Sequence, residues 1–127
     1  MGRKVIYVEL SRHCMDRWME RVGTAGKYPC QLETIQDYYS PESYLWYYED
    51  YNRYILSRFE IEPKNLFLQN YLVLEEHKKA NPRQELYVAK TVLNRRSVRR
   101  KRLRKELLKL KFMKSVSPRF FYLKYLS

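Results

Sequence analysis

Asn94-Arg-Arg-Ser-Val-Arg-Arg-Lys-Arg-Leu-Arg-Lys-Glu-Leu-Leu-Lys-Leu-Lys-Phe-Met-Lys114 combines a leucine repeat with a dense run of basic residues. Leu103, Leu107 and Leu110 recur at i, i+4 and i+7, with Val98 before them and Met113 after, a spacing that predicts one amphipathic helix. Arg99, Arg100, Lys101, Arg102, Arg104, Lys105, Lys109 and Lys111 stand between these apolar positions. Such a helix has a narrow seam for the body of the protein and a broad cationic face for solvent.

The chain has 127 residues, with 26 Lys and Arg against 14 Asp and Glu, a net charge of +12. Residues 95–127 hold 13 of the bases and a single acid, Glu106. That leaves 13 of each before position 95, so the whole excess charge sits in the last quarter. A local excess of this size concentrates polyanions and speeds their capture. Phosphate is the natural partner, since each neutralised phosphate releases counterion. Arg95, Arg96, Arg99, Arg100 and Arg102 strengthen that expectation, because guanidinium binds oxyanions bidentately and stacks on bases. The expected nucleic-acid-binding set is Arg95, Arg96, Arg99, Arg100, Lys101, Arg102, Arg104, Lys105, Lys109 and Lys111. An acidic protein partner and a merely solvated basic face are the competing readings of the same charge.

Outward from this stretch the chain reads as a single domain of residues 1–94, followed by the basic arm and an aromatic tail over 95–127. Hydrophobic residues make up 45%, enough for a packed core. The apolar runs are far short of the roughly 20 residues that span a membrane, and the alternating N-terminus with Glu9 is a strand rather than a signal peptide. Cys14 and Cys30 form no disulfide framework or zinc spacing, which places the protein in a reducing, cytoplasmic setting with no metal and no cofactor.

Taken in order, Lys4–Leu10 alternates as a strand and Ser11 caps a helix over Arg12–Val22, closed by Gly23. Cys14, Met15, Trp18, Met19 and Val22 share its core arc, and His13, Arg17 and Arg21 stack beside them at i, i+4 and i+8. Residues 24–37, with Gly26 and Pro29, read as a loop. Ser40-Pro41-Glu42 then reads as the start of a helix to Phe59, with Tyr44, Tyr47 or Tyr48, Tyr51, Ile55 and Phe59 at core spacing. Leu66–Glu75 and Glu85–Leu93 read as two strands around a turn at His77–Arg83, with His77 exposed. Ser117-Pro118 stops the basic helix, and the tail from Arg119 adds a strand or docks on the body or on a partner. The expected fold is therefore α+β, a small mainly antiparallel sheet with two helices, followed by a C-terminal basic helix and an aromatic tail.

Three glycines in the whole chain leave no glycine-rich phosphate loop, and no carboxylate pair stands at a useful spacing. The candidate catalytic set is His13, Arg17 and Arg21. Metal-free RNA cleavage needs a base, an acid and cations on the crowded phosphate, and these side chains supply part of that. The structural alternative is a wet helix face in which Arg17 or His13 pairs with Asp16 or Glu20. Tyr87 and Glu75 are the sheet residues that can complete such a site.

Val5 to Val22 contains Ser11-Arg-His13-Cys14-Met-Asp-Arg17-Trp-Met-Glu-Arg21, and this resembles the opening of small phage and plasmid proteins related to BrnT and RelE toxins. Those proteins carry a Ser-x-His-Ala-x-x-Arg-x-x-x-Arg pattern where a strand runs into a helix. Tyr71–Glu75 and Leu86–Arg95 resemble the paired strands that close such domains. Cys14 in place of alanine, the tyrosine-rich segment and the extra basic arm depart from the pattern. The resemblance implies a compact α+β fold, contact with RNA or a ribonucleoprotein, and His13, Arg17 and Arg21 as its site. Three functional expectations follow. The first is an RNA-binding protein gripping phosphate through the arm, with RNA favoured over DNA. The second is a metal-independent toxin-type endoribonuclease. The third is a phage-encoded protein that binds an acidic host protein or a virion component.

Overall fold

Ile6, Val8 and Leu10 all point to one side of the first strand and are almost fully buried, and the remaining strands close around them. The computed structural model describes residues 4–22, 32–40, 42–77 and 84–120. Six strands, β1 (Lys4–Leu10), β2 (Tyr44–Tyr48), β3 (Arg53–Ser57), β4 (Tyr71–Glu76), β5 (Leu86–Leu93) and β6 (Lys111–Phe120), form a closed barrel in the order β1-β5-β4-β3-β2-β6. β1 runs parallel to both of its neighbours, with Tyr7 opposite Leu86 on β5 and Lys4 opposite Val116 on β6. The other pairings are antiparallel. Among the described residues four short α-helices accompany the barrel: α1 (Arg12–Arg21), α2 (Leu32–Tyr39), α3 (Arg95–Val98) and α4 (Lys101–Leu107).

The expected small sheet with two helices and a trailing basic helix is thereby replaced by a barrel. Two segments account for the difference. Residues 44–57 form a β-hairpin in place of the helix expected from Ser40 to Phe59. Aromatic and branched residues favour a pleated, half-buried surface. Leu45, with Tyr54 and Leu56, joins the barrel core, while Trp46 and Ile55 pack on the outer face. A one-turn 3-10 helix at Glu49–Tyr51 and Asn52 in the left-handed region (φ 49°) reverse the chain. Ser40 closes α2 instead of opening a helix, its hydroxyl donating to the Gln36 carbonyl at 2.6 Å.

The Asn94–Lys114 stretch also departs from the single helix expected of it. The basic helix ends at Leu107, and Lys111 onwards is strand β6, inserted between β2 and β1. Val116, Pro118 and Phe120 are buried at alternate positions along it. Pro118 lies in β6 beyond Ser115, where the pairing with β2 stops and β1 is the remaining strand neighbour, so its missing N–H is tolerated. The barrel thus draws strands from both sides of position 94.

β1, β5 and α1 follow the sequence closely. The Ser11 hydroxyl accepts from the Cys14 amide at 3.1 Å and donates to the Ala89 carbonyl at 2.8 Å, so one side chain caps α1 and ties it to β5. β4 begins at Tyr71, five residues later than the expected Leu66, and residues 63–69 are turns. α2 occupies part of the expected loop at 24–37. Trp18 of α1 and Tyr38 and Tyr39 of α2 stack with ring centroids 4.7–6.2 Å apart, and Tyr39 reaches Phe120 at 6.4 Å. This aromatic plug closes one end of the barrel. Gly23, Gly26, Pro29, Cys30, Pro41, the Asn81-Pro82 turn and the tail beyond Phe120 lie outside the described residues. Among the described residues no helix is long and apolar enough to cross a membrane.

Candidate nucleic-acid interface

Leu93 ends β5, and Asn94 immediately starts α3. Its side-chain oxygen accepts from the Ser97 amide at 3.0 Å, and its Nδ2 donates to the Arg21 carbonyl at 3.4 Å. Val98 is fully buried and anchors the single turn of α3. Arg100 is extended (ψ 122°), which breaks the path and redirects it into α4. Leu107 is buried, and Leu103 and Leu110 pack beside it on Ile55, Tyr71 and Val73. The expected seam therefore exists, but it lies along two short helices on the outer wall of β3, β4 and β5. The arm is seated on the barrel.

With the seam inward, Arg95, Arg96, Arg99, Arg100, Lys101, Arg102, Lys105, Lys109 and Lys111 are all exposed. Arg104 is half-buried, its guanidinium 5.9 Å from the centre of the Phe67 ring and its Nε without a hydrogen-bond partner among the described residues. Two of the set are paired. Arg102 lies 3.3 Å from Glu106, and Lys111 donates to Glu49 at 2.6 Å. The Lys111 hydrogen bond holds the Glu49 carboxyl below its usual range, and Glu106 holds the Arg102 guanidinium more firmly protonated. Arg95, Arg96, Arg99, Arg100, Lys101, Lys105 and Lys109 have no carboxylate partner among the described residues. Seven neighbouring cations without counter-charges repel one another, and a polyanion relieves that repulsion.

The α1 stripe is arranged differently. His13 is exposed on the first turn. Arg17 donates to Glu20 at 2.7 Å, the pairing expected for a wet helix face. Arg21 donates to the Val92 carbonyl at 2.6 Å, and its own carbonyl receives Asn94. Arg21 thus holds the end of α1 against the end of β5 and the start of the arm. Tyr87 lies inside the barrel and is almost fully buried, while Glu75 pairs outside with Arg53 at 3.4 Å and Lys90 at 3.7 Å. These two residues stand on opposite faces of the sheet. His77 is half-buried rather than exposed, 3.5 Å from the buried carboxylate of Glu9.

A second polar group was not singled out by the sequence. At the barrel end opposite the aromatic plug, Lys114 bonds to Glu85, and Lys4 lies 3.5 Å from the same carboxylate. Partial burial holds the Lys114 amine below its ordinary value, with Lys4 adding to the effect and Glu85 opposing it. Tyr54 and Tyr87 meet there edge-to-face at 5.0 Å. Lys4 and Lys114 continue the inward alternations of Ile6, Val8, Leu10 and of Val116, Pro118, Phe120. That period of two is the signal for them, and it becomes readable once β6 is known to be a strand. Among the described residues no three His, Cys, Asp or Glu side chains gather as metal ligands.

Comparison with protein-family models, with curated proteins and with solved structures finds no match to this chain.

Proposed function

We propose that the protein binds RNA, gripping phosphates with the α3–α4 arm. The observation that carries this reading is the set of seven exposed cations, with no carboxylate partner among the described residues, on and beside two helices already packed against a barrel. A pre-seated arm loses little conformational entropy on binding, whereas a disordered basic tail must be ordered first. Phosphate contacts of this kind fix register and orientation on the strand without reading sequence. RNA in preference to DNA rests on the resemblance of residues 5–22, 71–75 and 86–95 to the toxin-like proteins. The ribonuclease reading has less in its favour, since Arg17 and Arg21 are committed to Glu20 and to the Val92 carbonyl.

The test is incubation with labelled structured RNA in EDTA, followed by native and denaturing gels at two salt concentrations. Binding by the arm gives intact RNA with a shift that weakens as salt rises. No shift at low salt overturns the proposal and turns attention to an acidic protein or virion component as the arm's partner. Discrete fragments that vanish in His13→Ala would move the chemistry to α1.

A further inference from the structure

Between α4 and the outer wall of the barrel lies a cleft of about 290 Å³ that the seam does not fill. Its floor is Ile55, Val73 and Leu93, and its roof is Leu103, Leu107 and Leu110. The rim is polar and aromatic, made of Tyr48, Tyr51, Arg53, Thr91 and Glu106. Tyr48 and Tyr51 stack face to face, 4.7 Å between centroids with planes 10° apart, and Tyr51 is 53% exposed. Arg102 lies against Tyr51 while pairing with Glu106, so the cationic face of the arm continues directly into the lip of the cleft.

We infer that this cleft receives one unstacked nucleobase of a single-stranded RNA whose backbone is held by the arm. The inference rests on the RNA-binding proposal and names the form of nucleic acid selected. Three features point to this occupant. The volume is at the low end of the roughly 300–1,000 Å³ of small-molecule sites, suited to one planar ring system and too small for a peptide helix. An apolar slot with tyrosines at its mouth offers a base stacking and desolvation. Thr91 stands at the edge, where a base presents its hydrogen-bonding groups, beside Glu106, whose carboxylate also holds Arg102, and Arg53, whose guanidinium also holds Glu75. The flanking cations complement the phosphates on either side. A duplex keeps its bases paired and stacked and cannot enter.

The experiment compares the full chain's affinity for a single strand of about 12 nucleotides with that for its duplex, a length within the span such proteins cover. Wild type is expected to favour the single strand roughly tenfold, the scale of one stacked base. Tyr51→Ala removes part of the wall, and Thr91→Phe fills the slot. Both should erase the preference while leaving the salt dependence of binding unchanged. A single strand carrying 2-aminopurine should lose fluorescence on wild type and keep it on Thr91→Phe. Equal affinity for strand and duplex, or a preference that survives both substitutions, overturns the inference while leaving the arm as a phosphate grip. Absence of binding to either form removes the RNA-binding proposal and the cleft together.

Discussion

Asn52 turns the β2–β3 hairpin with a positive φ of 49°, a conformation that a side chain with a branched β-carbon resists, and its Oδ1 accepts from the Tyr47 hydroxyl at 3.0 Å. Asn52→Val should destabilise the fold by about 1–2 kcal/mol in denaturant titration, while Asn52→Gly should stay within about 0.5 kcal/mol of wild type. Buried tyrosines give a second prediction of this kind. Burial pushes the hydroxyls of Tyr39, Tyr71 and Tyr87 well above the ordinary value of 10.0. Below that pH all three are protonated in both folded and unfolded chains, and their contribution is fully present. Above it the unfolded chain releases protons that the folded chain keeps, so stability is lost as pH climbs toward the raised folded-state values. An alkaline titration should show part of the tyrosinate absorbance appearing together with loss of circular dichroism.

At the level of elements, the sequence was most readable where one period excluded the other. Ile6, Val8 and Leu10 admit a strand and nothing else, and Ser11 marks the next helix by its chemistry. The tyrosine-rich segment was ambiguous because Tyr44, Tyr47, Tyr51 and Ile55 satisfy a helical period while Leu45, Tyr54 and Leu56 satisfy the alternation that prevails. Local spacing has no access to the partner that decides between them, here β6. β6 itself was hidden because Met113 extends the leucine seam by one further turn, and because Lys4, opposite Val116, is far away in sequence. Two element-scale outcomes follow. A chain ending at residue 94 lacks β6, leaves β1 and β2 with open edges and should show no cooperative unfolding transition. Leu107→Ala, on a side chain only 2% exposed, should cost about 2–5 kcal/mol and release amide protection in α4 before the barrel strands.

Across the whole molecule the charge asymmetry was legible from composition, and the structure adds which cations are free to act. Lys111 and Lys114 belong to the basic run, yet each is held by a carboxylate, Glu49 and Glu85, that lies 62 and 29 positions away. No local pattern announces such pairs. The same holds for Arg21, whose partner is a backbone carbonyl on β5. What remains is a barrel with a cationic ridge fixed to one wall. The most direct test of that account is the slope of log binding constant against log salt for a single-stranded RNA. It should be measured on wild type and on a variant with Arg99, Arg100, Lys101 and Lys105 all changed to glutamine. These four side chains are exposed and have no carboxylate partner among the described residues, so the variant should fold as wild type does. Its slope should be shallower by roughly 3, at about 0.7 for each phosphate that is no longer neutralised. An unchanged slope in a folded variant would contradict the account and place the phosphate grip elsewhere on the molecule.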